Sequence, residues 1–168
     1  MKIIDKVFGE LYYDDIWEKP YSFEFHGRTL KIMIMVEAEE DAKFFNYQYR
    51  AYQWFTRYPK EITEHAMQVL ISHIQQNPDE FPGLEGESLS LELTEVIILN
   101  TFVDNYDAIA VLFESNAEPE HGLGVQYVNG NVSRVGIQSE VFTCRIQRLD
   151  LVPPKMVAQS RKLFKHRG

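Results

Sequence analysis

Apolar residues recur along this chain with two different periods, and the change of period divides it into segments. Residues 6–14 contain Val7, Phe8, Leu11, Tyr12 and Tyr13, strand-forming types, with Gly9 as the candidate for a bulge. From 20 to 26, Tyr21, Phe23 and Phe25 alternate with Ser22, Glu24 and His26. From 29 to 38, Leu30, Ile32, Ile34 and Val36 alternate with Lys31, Met33, Met35 and Glu37. A period of two belongs to a half-buried strand, and the Gly27 turn between the two runs makes them a hairpin.

The period then lengthens. Glu37, Glu39, Glu40 and Asp41 end the hairpin and suit the positive end of a helix, with Asp41 placed to cap it. Phe44, Tyr47, Ala51, Phe55 and Tyr58 recur at helical spacing and predict a helix over 42–58. Pro59 stops that helix and starts a second one over 59–77, whose stripe is Ile62, Ala66, Val69, Leu70, His73 and Ile74. Residues 78–90, with Pro78, Pro82, Gly83 and Gly86, read as a loop. Strands are expected over 94–102, 107–115, 124–128 and 131–137. The last two flank Asn129-Gly130, a hairpin signal because both residues tolerate positive φ. A strand over 141–149, a break at Pro153-Pro154 and a short amphipathic helix over 155–165 complete the chain.

Hairpin-linked strands around a helix pair predict an α+β fold. The sheet is antiparallel, of about six to eight strands, with the helix pair inserted after the third strand and packed on one face, and a short C-terminal helix. The 168 residues suit a single domain, taken as 1–152, followed by a basic helix or tail over 153–168. The single cysteine, Cys144, cannot form an intrachain disulfide and packs more readily than it reacts. There is no long apolar run and no signal-peptide pattern at the start, so a cytoplasmic protein outside the membrane is expected.

Charge changes the picture more than composition does. The formal charge is −8, but residues 145–168 carry seven bases and one acid, which leaves 10 bases and 24 acids in the first 144. An acidic body attracts basic partners and repels phosphate, so nucleic acid is a poor partner in spite of the basic tail.

Several segments together resemble a bacterial domain family of unknown function. They are Phe8-Gly9-Glu10-Leu11-Tyr12-Tyr13-Asp14 with Trp17, Gln48-Tyr49-Arg50-Ala51-Tyr52, Glu120-His121-Gly122-Leu123-Gly124-Val125, Asn129-Gly130 and Val135-Gly136. The resemblance runs over about residues 6–138. It implies small cytoplasmic bacterial proteins and carries over no catalytic residue.

Candidate chemistry is sparse. Glu120 and His121 pair a carboxylate with an imidazole that titrates near neutrality, as acid–base catalysis would need. Pro119, Gly122 and Gly124 beside them fit a plain turn equally well. Glu61 and His65 share a helix face, but a partly buried helix histidine explains them without a metal. The chain has no HExxH, GxSxG, Walker A or calcium-loop segment, and no metal or cofactor is expected. The helix over 42–58 holds eight aromatics, too many for one face, so Phe45, Tyr49 and Tyr52 are candidates for an exposed contact surface unless the helix is buried on two sides.

These features favour a non-enzymatic protein-binding module. Its expected binding residues are Tyr49, Tyr52, Phe45, Glu120 and His121, and its expected partner is a basic protein, as for an immunity protein that neutralises a basic toxin. The alternatives are a small hydrolase using Glu120 and His121, and a domain that forms homodimers through the aromatic helix.

Overall fold

The computed structural model describes residues 1–41, 43–84, 86–102 and 105–142. Eight strands form one sheet in chain order: β1 (Lys2–Asp5), β2 (Gly9–Asp14), β3 (Ile16–Phe25), β4 (Arg28–Val36), β5 (Leu91–Ile98), β6 (Ala108–Ser115), β7 (Leu123–Val128) and β8 (Asn131–Ile137). Every adjacent pair is antiparallel except β4 and β5. Those two run parallel because the connection between them is a long crossover holding helices α1 (Asn46–Arg57) and α2 (Pro59–Gln76). The α+β class, the mainly antiparallel sheet and the inserted helix pair all match the sequence pattern.

The helix pair follows the fourth strand rather than the third, because a further strand, β1 over Lys2–Asp5, precedes the one expected over 6–14. The Asp5 carboxylate accepts the backbone N–H groups of Val7 (2.7 Å) and Phe8 (2.9 Å). This Asx turn folds the chain back, and Gly9 completes it at φ +75°. The register then pairs Lys2 with Tyr12 and Asp5 with Gly9. β3 also starts earlier than the alternation suggested, at Ile16. Pro20 fits inside it because β2 pairs with β3 only as far as Glu18, and among the described residues no strand pairs with β3 on that side from residue 19 onward.

Asp41 does not cap α1. The N-cap is Phe45, and Gln48, fully buried, closes the helix start. Its Oε1 accepts the Phe45 N–H (3.1 Å) and its Nε2 donates to the Glu37 carbonyl (2.7 Å), tying α1 to the end of β4. Pro59 at the first position of α2 acts as the sequence implied.

One face of the sheet packs against the helices. Trp17, Ile34, Val36, Phe55, Ile62, Leu70, Val96, Val111, Phe113, Val125 and Tyr127 belong to this core and are at most 1% exposed. Large apolar side chains buried to this extent contribute about 1.5–3 kcal/mol each before the entropy of ordering is counted. No described helix is long and apolar enough to cross a membrane.

The opposite face carries a smaller cluster of Ile97, Leu99, Ala108, Ala110, Leu112, Val128 and Val141, with Met35, Tyr106 and Phe142 packed against it. Its cover over β7 is a single helical turn, α3 (Gln138–Val141). Two glycines make the seat. A Cβ on Gly124 would collide with a Val141 methyl and come within 2.9 Å of Leu112 Cδ2. Gly122, at φ +63°, would set a Cβ against the Gln138 amide and 2.8 Å from the Phe113 carbonyl. Gln138 donates to that carbonyl (3.0 Å) and Gln126 donates to the Val141 carbonyl (2.8 Å). Val141 thus closes a helical turn rather than opening a strand. The rest of the strand expected over 141–149, the helix over 155–165 and Cys144 lie outside the described residues.

Candidate functional site

The aromatic helix is buried on two sides. Tyr47, Ala51 and Phe55 face the sheet, and the β1–β2 turn covers a second side. There Phe8, fully buried, meets the rings of Phe44 (4.9 Å), Tyr49 (5.1 Å) and Tyr52 (4.9 Å). Tyr52 is only 8% exposed. Its hydroxyl accepts from Lys19 Nζ (3.2 Å), which also bonds the Phe8 carbonyl. Tyr49 is half-buried and donates to Asp5 (2.8 Å); burial first, and then that carboxylate, push its phenol up to about 12. Of the three rings expected at a contact surface, Phe45 alone is exposed, stacked on Tyr47 at 5.1 Å.

His65 lies against the buried Tyr127 hydroxyl (2.7 Å), the role of a structural helix histidine. Burial raises the Tyr127 phenol, so it stays protonated. Among the described residues no group of three or more His, Cys, Asp or Glu is arranged to hold a metal ion.

Glu120 and His121 sit elsewhere, on the rim of a groove of about 800 Å³ at the end of β5 and β6, on the sheet face opposite the helices. Its floor is Thr94, Glu95 and Glu114; its rims are residues 90–92 and the turn from Ser115 to Gly122. Side-chain bonds set this turn. Ser115 Oγ accepts the Ala117 N–H (3.1 Å), and the Gly122 N–H reaches the Glu118 carbonyl (2.9 Å). Asn116 links the two rims: its Oδ1 accepts the Ser90 N–H (2.8 Å) and its Nδ2 donates to the Ser88 carbonyl (2.8 Å). His121 Nδ1 contacts Glu118 Oε1 at 3.1 Å, not Glu120, and both the imidazole and Glu120 are open to solvent.

The groove gathers five carboxylates, Glu92, Glu95, Glu114, Glu118 and Glu120, against Arg28 and His121. Glu92 and Glu114 are direct cross-strand partners. Like charges so placed weaken a sheet. Burial, then Glu18 and Glu114, raise the Glu95 carboxyl above its ordinary value. The acids at 114, 118 and 120 are visible in the sequence as a group. Glu92 and Glu95 join them only through the β5–β6 register, which depends on a shift between Leu93 and Glu95 that no local signal announces.

The model of a domain of unknown function, DUF6985, matches residues 7–142. The chain belongs to this family. The DUF6985 span takes in the Phe8 turn, both helices, the groove and the glycine seat, and it stops at Phe142, before the basic segment. No curated protein and no solved structure matches the chain.

Proposed function

We propose that this DUF6985 protein is a cytoplasmic, non-enzymatic binding module whose acidic groove docks a basic segment of another protein. The observation that carries the reading is the like-charge crowding of Glu92, Glu95 and Glu114 in the groove lining. Folding gains nothing from facing carboxylates, whereas a lysine or arginine set between them relieves the repulsion and forms charge-assisted hydrogen bonds. The groove is open and lined mainly by polar side chains, unlike the enclosed apolar sites that hold small molecules. An extended basic peptide fits such a surface, and a basic toxin neutralised by an immunity protein is one concrete partner. Charge complementarity gives fast, salt-sensitive capture.

The test is calorimetric titration of the full chain with a short lysine- and arginine-rich peptide. Glu92→Gln/Glu118→Gln/Glu120→Gln should weaken binding by about tenfold or more. Equal affinity for both proteins would reject the groove as the site.

A second reading, a hydrolase using Glu120 and His121, has the Glu118–His121 contact in its favour, since a carboxylate can orient an imidazole. The His121 side chain is 57% exposed, however, and a general base in open water lacks the preorganised surroundings that give enzymes most of their rate. Homodimerisation through α1 would rest on Phe45, and sedimentation of Phe45→Ser beside the native chain would detect it.

A further inference from the structure

The acidic groove shares a wall with an apolar pocket. Ser90 and Glu92 line the groove, Leu89 lines the pocket, and Leu91 borders both. Successive residues of an extended chain face opposite ways, so one short stretch builds the two surfaces. The pocket holds about 350 Å³. It lies between α2, which supplies Met67, Ile71 and Ile74, and the connection into β5, which supplies Leu84, Leu89 and Leu91. Gln75 adds an exposed amide. Ile71 is 37% exposed, the one large apolar side chain of α2 left in the open. The two surfaces also meet at an opening in the sheet. β4 starts at Arg28 and β5 at Leu91, but among the described residues their ladder runs only from Met33 and Glu95 to Val36 and Ile98. It stops beside the register shift between Leu93 and Glu95, and a bulge of this kind bends a strand and can end its pairing. Arg28, Ser90 and Leu91, at the unpaired end, all line the groove.

We propose that the basic segment docked in the groove carries a large apolar residue, and that this anchor seats in the pocket between α2 and the start of β5. The inference rests on the groove reading and defines the partner more closely: cations for Glu92, Glu95 and Glu114, and one bulky apolar side chain beside them. Charge and continuity argue for this occupant. The carboxylates at the shared wall favour a cationic chain over a neutral apolar molecule, and they disfavour a second copy of this protein, whose formal charge is −8. Leu91 makes the surfaces continuous, so the anchor adds buried apolar area within a single binding event. Between Arg28 and Leu91 no ladder pair of the described residues has to break for a side chain to pass from one surface to the other. An apolar anchor in a pocket, ringed by polar contacts, is also the usual arrangement of a residue that dominates an interface.

The test is calorimetric titration of the full chain with lysine- and arginine-rich peptides in which a single leucine is moved along an alanine background. One position, or two adjacent ones, should bind about tenfold or more tighter than the all-alanine peptide, the scale of burying a leucine side chain. Ile71→Gln, and independently Met67→Gln, should remove that gain and leave the affinity for the all-alanine peptide unchanged, which also shows that the variants are folded. Leucine peptides that bind no tighter than the all-alanine peptide would overturn the anchor and leave the groove reading standing. A gain that is equal at every position, or that survives both substitutions, would do the same. Binding of no peptide at all would overturn both readings. Sedimentation supplies the remaining outcome: a native dimer that Ile71→Gln dissociates would give the pocket to a second copy and overturn the proposal.

Discussion

At the scale of single residues, Asp5 does the most for its size. Two backbone amides and the Tyr49 hydroxyl converge on its carboxylate, joining the β1–β2 turn to α1. Burial alone would raise its carboxyl, but the bonds from Phe8, Val7 and Tyr49, with the charge of Lys6, outweigh it and hold the group below its ordinary 3.8. Between the two values the unfolded chain binds more protons than the folded one. The stabilisation is therefore complete above 3.8 and is lost as pH falls through the lower folded value. Asp5→Ala should cost about 2 kcal/mol in urea unfolding at neutral pH, the scale of hydrogen bonds to a charged group. The gap to the native protein should narrow below pH 3.8. A gap that stays constant with acidification would remove the carboxylate from this role. Gly124 acts through what it lacks. Gly124→Ala drives a methyl into Val141 and Leu112 and should cost about 1–3 kcal/mol, as overpacking does, in the same unfolding assay. Stability equal to the native chain would show that α3 is not seated as described. The sequence displayed the glycines beside His121, but a turn explained them as well as a helix seat did. Only the approach of residues 138–141, distant by more than ten positions, separates the two explanations.

At the scale of elements, the periodicity located most of the helices and strands because period and burial agree there. β4 alternates buried and less buried residues from Leu30 to Val36, and β6 is buried almost throughout, as its continuous apolar run implied. The misreadings have local causes. Asp5 and Gly9 turn the chain so that residues 2–5, where no strand was expected, pair with the strand expected over 6–14, and Gln48 took over the start of a helix that Asp41 was expected to cap. The surplus of rings on α1 was legible as a question, whether to expect two buried sides or an exposed one. Phe8 answers it from a turn some 40 residues away. Phe8→Ala should therefore destabilise the protein by about 3–5 kcal/mol, as for other buried phenylalanines. It should also increase the fluorescence quenching of Trp17 by acrylamide, since Phe44 packs between Phe8 and Trp17. A loss of less than about 1 kcal/mol would mean the aromatic cluster contributes little.

At the scale of the whole molecule, the fold separates two kinds of surface. The helices fill one sheet face with rings and aliphatic chains, and the opposite face holds a small apolar patch bordered by carboxylates. The charge imbalance between the body and residues 145–168 was plain in the sequence, but its focus was not. Charges spread along 30 positions meet in a groove only after the sheet has set its register. The central claim is that this groove, rather than the aromatic helix, receives a basic partner. It is tested most directly by a nuclear magnetic resonance titration of the labelled full chain with a lysine- and arginine-rich peptide. The account predicts amide shifts concentrated at Glu92, Glu114, Asn116 and His121 that fade as salt is added. Shifts confined to Phe45 and its neighbours on α1, or none anywhere at low salt, would contradict it.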